Sequence, residues 1–413
     1  MNLINKKLNL DKFLLIIFSF YPLAILIGNF SINLFILTTG SLFFYKLIKL
    51  KGALNIDKKN FFLLIFFFIS LCINLIFSNN VNLSYQRVVK FIFVIFFILA
   101  FSFLIKNYFK NLENIFKIWS FIFLIVIIDL LIEFSFGKNL LGQNSIMPGR
   151  LASFTGEESV IGGFYLGFCL IFLSYIYKKN KNVKLNLLIA ISLIIISFLI
   201  GERANFIKTF IAIIIYIFLV YRVSFKIKIL SFISIIFLIY PTFLSLNNDY
   251  KHRYFNDIKL IIGENGLKNY LDNSTYGSHR NVAKEIFLDN LLFGAGIKNF
   301  RIESAKEKYD NLEHKYNYKR VSNHPHELYY EFLSETGIFG LICFLIFIIT
   351  SIYISFKNYL RQKNIYQVSG LIFIFVSILP IIPSGAFLST MVSSIFWINY
   401  AIMVGYNNLK NQI

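Results

Sequence analysis

Residues 323–340, Asn-His-Pro-His-Glu-Leu-Tyr-Tyr-Glu-Phe-Leu-Ser-Glu-Thr-Gly-Ile-Phe-Gly, hold residue types suited to proton transfer beside an anion. Pro325 suits the first position of a helix, with Asn323 or His324 as its cap. That register puts His326 in the first helical turn, where the helix dipole opposes imidazolium formation and attracts anions. A neutral imidazole next to an anion site is placed to act as a general base beside a phosphate. The plainer reading stands next to it: a histidine at a helix start also serves as a cap. Gly337 and Gly340 lie one turn apart, a spacing that lets a second backbone come close.

Three arginines stand at the ends of apolar runs or in hydrophilic segments: Arg150, Arg203 and Arg280. Arg150 opens the stretch 149–163, which also holds Glu157, Glu158 and a pair of glycines leading into an apolar run. Glu202 and Arg203 sit between two runs, with Lys208 about one and a half turns deeper. Charges at such depth are costly and mark functional sites. Equally, Glu202 and Arg203 form an ordinary interfacial pair and Lys208 snorkels. Asp129 and Glu133 are spaced i, i+4 and share a helix face. They are suited to sugar hydroxyls or a divalent ion, or to pairing with a neighbouring Arg or Lys. Arg280 opens an amphipathic stretch that ends in a turn at Gly294 and Gly296. That pair lacks the strand and third glycine of a dinucleotide site, and no phosphate-loop, nucleophile-elbow or metal-binding helix motif occurs. Guanidinium groups match phosphate oxygens bidentately, so the arginines suit a diphosphate-linked substrate.

The elements that must position these residues are membrane helices. The 413 residues are 57% hydrophobic and 15% charged, with 50 Phe and 24 Tyr, which fits an all-α polytopic membrane protein. Runs long enough to span a bilayer lie near 12–29, 31–48, 61–78, 89–105, 115–135, 159–177, 184–201, 204–221, 227–246, 337–356, 366–384 and 387–406. The pattern predicts about 12 transmembrane helices, with very short connections at 201–204 and 384–387. With the N-terminus inside, the inner connections are rich in lysine, while the short outer ones hold Arg87, Lys90, Lys138, Arg150 and Arg203. This predicts cytoplasmic termini. It divides the chain into spans 1–9 (1–246), a large outer loop (247–336) and spans 10–12 (337–413). Short helices are expected in the loop near 281–292 and 299–312. The net charge of +20 follows from this topology, and nucleic acid is not an expected partner. Cys72, Cys169 and Cys343 lie inside apolar runs and make no disulfide framework or zinc spacing.

The order of these motifs resembles the O-antigen ligase and O-antigen polymerase family of bacterial surface-polysaccharide enzymes. The likeness covers most of the chain and is strongest over 149–345. It rests on Arg150 to Gly163, on Arg203 at the start of a span, and on Arg280 followed by Gly294, Gly296 and Phe300. It closes with His326, Glu335, Gly337 and Gly340. The family usually has Asn after this histidine, where this chain has Glu327. The resemblance implies a GT-C-like inner-membrane protein with a periplasmic loop between helices 9 and 10. It implies metal-independent, cofactor-free, inverting transfer of a glycan from an undecaprenyl-diphosphate carrier. His326 would be the base. Arg203 and Arg280, with Arg150 as a third candidate, would hold the diphosphate, and Glu327, Glu335 and Glu158 would support them. The acceptor would be another lipid-linked repeat unit (a polymerase, slightly favoured), or the lipid A core or a protein (a ligase). A twelve-span lipid-linked oligosaccharide flippase or permease is the reading from another class. Against it, no two halves carry matching Pro/Gly interruptions, and the long loop is off-centre.

Overall fold

The computed structural model of this chain describes residues 2–50, 57–158, 161–262 and 266–408. No β-strand occurs among them. In lipid a backbone must satisfy its own hydrogen bonds, so long runs of Phe, Ile and Leu become helices. In chain order the helices are α1 (Asn2–Ser19), α2 (Tyr21–Ile27), α3 (Asn29–Lys49), α4 (Lys58–Ile76), α5 (Val81–Asn107) and α6 (Phe109–Phe136). Then follow α7 (Ile161–Lys179), α8 (Val183–Leu199), α9 (Arg203–Val220) and α10 (Phe225–Ser245). The long loop holds α11 (Asn248–Ile262), α12 (Gly266–Asp272), α13 (Thr275–Asp289) and α14 (Phe300–Glu303). The chain closes with α15 (Leu328–Gln362), α16 (Ile365–Ser377) and α17 (Thr390–Gly405).

By length and composition, α3–α7, α9, α10 and α15 are the eight described helices that suffice to cross a membrane. The bent pair formed by the end of α1 and α2, at 50°, is a ninth candidate. The remaining three apolar runs form the shorter helices α8, α16 and α17. Each apolar run in the sequence therefore holds a helix, though not over its full length. Aromatic side chains knit the bundle. Phe67 stacks on Phe347 with centroids 5.1 Å apart, and Trp397 packs edge-on to Phe91 and Tyr400.

Three sequence expectations change. The connection between the last two spans is not short: residues 378–389 are non-helical, because Pro380, Pro383 and Gly385 interrupt the apolar run. In the long loop, α13 starts at Thr275 rather than near 281, since the Oγ of Ser274 accepts from Gly277 N at 3.0 Å and caps it. The helix expected over 299–312 is only the single turn α14 and a short 3-10 turn at Glu307–Tyr309. The amphipathic α11 and the short α12 were not anticipated at all. α15 also begins before its apolar run, and at Gly337 it breaks its helical conformation.

Candidate functional site

Three histidines pack together where α13 meets the chain leading into α15. The ring of His326 lies 3.9 Å from that of His324, 5.0 Å from His279 and 5.3 Å from Tyr276, centroid to centroid. The Nε2 of His279 donates to Lys319 O at 3.0 Å and that of His324 to Ser384 O at 3.1 Å. Both partners are carbonyls, so both rings carry their proton on Nε2. The Nε2 of His326 lies 3.3 Å from Ser322 Oγ. The rings thus stack and send their nitrogens to separate partners. Burial first, then the neighbouring His324 and His279, pull His326 down to about 3. Burial likewise pulls His324 down to about 4 and lowers His279. All three are neutral imidazoles at pH 7.

His326 is not in a helical turn. Its φ of +59° turns the chain away from a helix begun at Pro325, and α15 starts two residues later. Glu327, not Asn323 or His324, is the cap, accepting from Tyr330 N at 2.9 Å. Asn is a favoured cap as well, which gives a physical reason for the family's usual residue here. Glu327 also lies in electrostatic reach of Lys208, and Lys208 is only 5% exposed, so it does not snorkel to the rim.

The arginines approach from separate elements. Arg203 starts α9 and donates to the carbonyl of Arg253 at 2.8 Å. Arg253, which sequence reasoning passed over, sits on α11. That helix is pinned to the end of α8 by Tyr254, whose hydroxyl donates to Phe198 O at 2.7 Å. Its methylenes run over Gly149, where a side chain would block them. Arg150 and Arg203 lie close enough to depress the Arg253 guanidinium further, after burial. Arg253 in turn reaches Tyr276, one turn before Arg280 on α13 and in ring contact with His326. Arg280, 6% exposed, donates to Ile381 O at 2.5 Å. The buried Nε atoms of Arg150, Arg253 and Arg280 have no hydrogen-bond partner within the protein. Unpaired buried donors are costly and call for an acceptor.

The 378–389 loop closes the arrangement. Ile381 N donates to Glu327 Oε1 at 3.4 Å, Ser384 N to His326 O at 2.9 Å, and Phe387 N to both oxygens of Glu331 at 2.9 and 3.0 Å. Ile381 holds φ +73°, a strained state for a β-branched residue. A second crossing sets the register of α15. Gly294 (φ +69°) faces the backbone of residues 335–337, and Gly337 (φ +65°) faces the backbone of Leu292 and Gly294. Ala295 N and Gly296 N donate to Ser334 O and Glu335 O, both at 2.9 Å. Gly337 therefore meets another backbone, whereas Gly340 faces the side chain of Thr336 in its own helix.

The acidic candidates serve backbone groups. Asp129 accepts from Leu140 N at 2.6 Å and Ser153 Oγ at 2.5 Å. Glu133 accepts from Ala152 N at 3.0 Å and Ser153 N at 2.7 Å. These contacts fasten the loop that carries Arg150. Glu202 accepts from Gly162 N at 2.8 Å and Asn205 Nδ2 at 2.5 Å. Burial pushes its carboxyl up and nearby Arg150 pulls it down. Glu335 is buried away from the histidines, facing the backbone N–H groups of Lys298 and Phe300. Glu158 ends a 3-10 turn, and its side chain lies outside the described residues.

Among the described residues the fold is an all-helical chain with several helices able to cross a membrane, and its arginines Arg253 and Arg280 come from the long loop that also supplies the histidines. Residues 187–345 match the O-antigen ligase family. The matched stretch runs from α8 into α15, holds Arg203, Arg253, Arg280 and His326, and supports placing the chain with the O-antigen ligase and polymerase family. It implies glycosyltransferase chemistry of that type. No curated protein matches the chain.

Proposed function

We propose that this protein transfers a glycan from an undecaprenyl-diphosphate carrier to an acceptor hydroxyl on the periplasmic side of the bacterial inner membrane. The observation that carries this reading is the set of unpaired guanidinium Nε donors beside a buried neutral imidazole, within the matched region for Arg253 and Arg280. Arg203, Arg253 and Arg280 bind the donor diphosphate, with Arg150 flanking them. The acceptor oxygen bonds to the anomeric carbon from the face opposite the leaving group, giving inversion. The carbon–oxygen bond to the diphosphate breaks, and its electron pair leaves with the phosphate. The guanidinium groups meet that charge as it grows. The hydroxyl proton passes to a ring nitrogen of His326.

A histidine pulled down to about 3 is a weak base. Arrival of a diphosphate supplies the negative charge that favours imidazolium, so the donor itself raises the basicity of His326. Substrate binding and base activation are then one event.

Addition to another lipid-linked repeat unit remains the favoured acceptor. The description of the matched family favours the second reading, transfer to a lipid A core acceptor. Purified full-length protein in bilayers, given a defined lipid-linked donor and each acceptor in turn, tests both. Elongated carrier-linked product marks a polymerase, and core-linked glycan marks a ligase. Movement of lipid-linked glycan across vesicles with no new glycosidic bond overturns the transfer reading.

A further inference from the structure

A second group of cations reaches the histidines through His324, and the first site does not use it. Arg87 and Lys90 stand in the first turns of α5, and both reach the hydroxyl of Thr390, at 3.4 and 3.2 Å. Lys298 and Arg301 come from the turn that follows the glycine crossing. That turn is pinned against the start of α5. Ser84 Oγ donates to Ile297 O at 2.8 Å, Asn299 Nδ2 to Ser84 Oγ at 3.0 Å, and Ile297 N to Asn74 Oδ1 at 3.2 Å. Lys298 holds φ +68°, a conformation the anchored turn imposes on it.

Arg87, Lys298 and Arg301 stand in electrostatic reach of one another, Lys90 reaches Arg87 and Lys298, and Lys298 and Arg301 also reach His324. The nearby acids do not neutralise them fully. Glu331 spends both oxygens on Phe387 N, and Glu335 faces the N–H groups of Lys298 and Phe300. The buried Nε of Arg301 has no partner within the protein. Burial, then Arg87 and Arg301, pull the Lys298 ammonium down to about 8. Four half-buried cations held this close repel each other, and a bound anion relieves that repulsion.

The two groups meet His326 through different neighbours. From His326 the first is reached through Tyr276, and the second through His324. A base between two anion sites suits a reaction whose two substrates are both anionic. We propose that Arg87, Lys90, Lys298 and Arg301 form a second site, which binds a phosphate carried by the acceptor glycolipid and so aims its hydroxyl at His326. This rests on the transfer reading above. Since the cations reach His324, the phosphate belongs within a sugar or two of the attacking hydroxyl. Two sources share that chemistry: a phosphorylated core sugar, or the diphosphate of a short lipid-linked repeat.

The test uses full-length protein in bilayers with three acceptors: a phosphorylated core glycolipid, its dephosphorylated form, and a short diphosphate-linked repeat. Acceptor binding is measured without donor, so it needs no turnover and stands or falls separately from glycan transfer. Lys298→Gln and Arg301→Gln are expected to weaken binding of one phosphorylated acceptor about tenfold, the loss of one charge-assisted contact. Binding of the dephosphorylated form, and of donor alone, stays within about twofold. Lys298→Arg and Arg301→Lys, which keep the charge, restore most of the affinity and control for misfolding. The acceptor that shows the dependence identifies the source of the phosphate. Wild-type protein that binds phosphorylated and dephosphorylated core equally, with no Lys298 dependence for the repeat, overturns the site. Equal loss of donor binding in the Gln variants overturns it too.

Discussion

The imidazole rings of His324 and His326 lie 3.9 Å apart although only Pro325 separates them in the chain. The left-handed backbone at His326 folds one ring over the other, and Ser384 fastens both by accepting from His324 and donating to the carbonyl of His326. Burial, with His324 and His279 beside it, suppresses protonation of His326. On the proposed mechanism, the pair is a poor base when the site is empty and a better one when the donor diphosphate occupies it.

This pair fixes an expected pH response. His326 and His324 are drawn to about 3 and about 4 in the fold. Their ordinary value is about 6.5. Folded values below the unfolded one add stability that is present above about 6.5 and is lost as the pH falls toward 4 and then 3. The acid limb of kcat/KM, which reports the free protein, should therefore lie below the ordinary histidine range. The limb of kcat should lie at higher pH, because bound diphosphate raises His326. Rate profiles from about pH 8 down to about 2.5 measure both. A kcat limb at or below the kcat/KM limb removes the link between donor binding and base strength.

Arg253 belongs with the arginines that the sequence singled out. Arg253→Gln, Arg203→Gln and Arg280→Gln should each lower kcat/KM by about a hundredfold, the scale of losing one preorganised donor. The backbone carbonyl that receives Arg203 is kept in Arg253→Gln. Full transfer activity in Arg253→Gln, with unchanged donor binding, takes that residue out of the site.

The crossing of Gly294 and Gly337 should tolerate no side chain. Alanine at 337 combines a left-handed backbone with a Cβ driven into the main chain of Leu292. A loss of about 2–5 kcal/mol is expected, from strain and overpacking together. Gly163→Ala is the comparison: that position has open space and sits inside α7. It should stay within about 1 kcal/mol of the parent. Thermal melting in detergent separates the two, and equal melting temperatures contradict the crossing.

Glu327→Asn should leave both folding and transfer largely intact, since Asn keeps an acceptor at the start of α15. Glu327→Ala should lose about 1 kcal/mol for the cap. Both substitutions remove the carboxylate that faces buried Lys208, so the difference between them reports the cap. If Asn is as harmful as Ala in melting and transfer assays, Glu327 is doing something other than capping.

Much of this arrangement was legible from residue type and spacing. Hydropathy located every apolar helix, since satisfying a backbone in lipid is a local requirement. Pro380, Pro383 and Gly385 also announced a break, but inside an apolar run their signal is outweighed by hydropathy, and the loop they form was read as helix. Arg253 was passed over because α11 is amphipathic and lies outside the apolar runs. Its worth depends on Tyr254 binding Phe198, a partner far away in the chain. His326 was placed one turn too deep, because a proline before an apolar run reads as a helix start. Only the backbone at His326 reveals the turn.

The sequence alone determined that this is a helical membrane protein with a long polar loop, and that arginines and a histidine stand near its helix ends. Those properties depend on neighbours a few residues apart. Tertiary structure decided which of the charges meet. It set Arg203 on Arg253, packed His326 against Tyr276, His279 and His324, and gathered a second set of cations that reaches His324. Electrostatic energy falls with distance through space, not along the chain, so a cluster assembled from α5, α11, α13 and two loops leaves no mark in any one stretch.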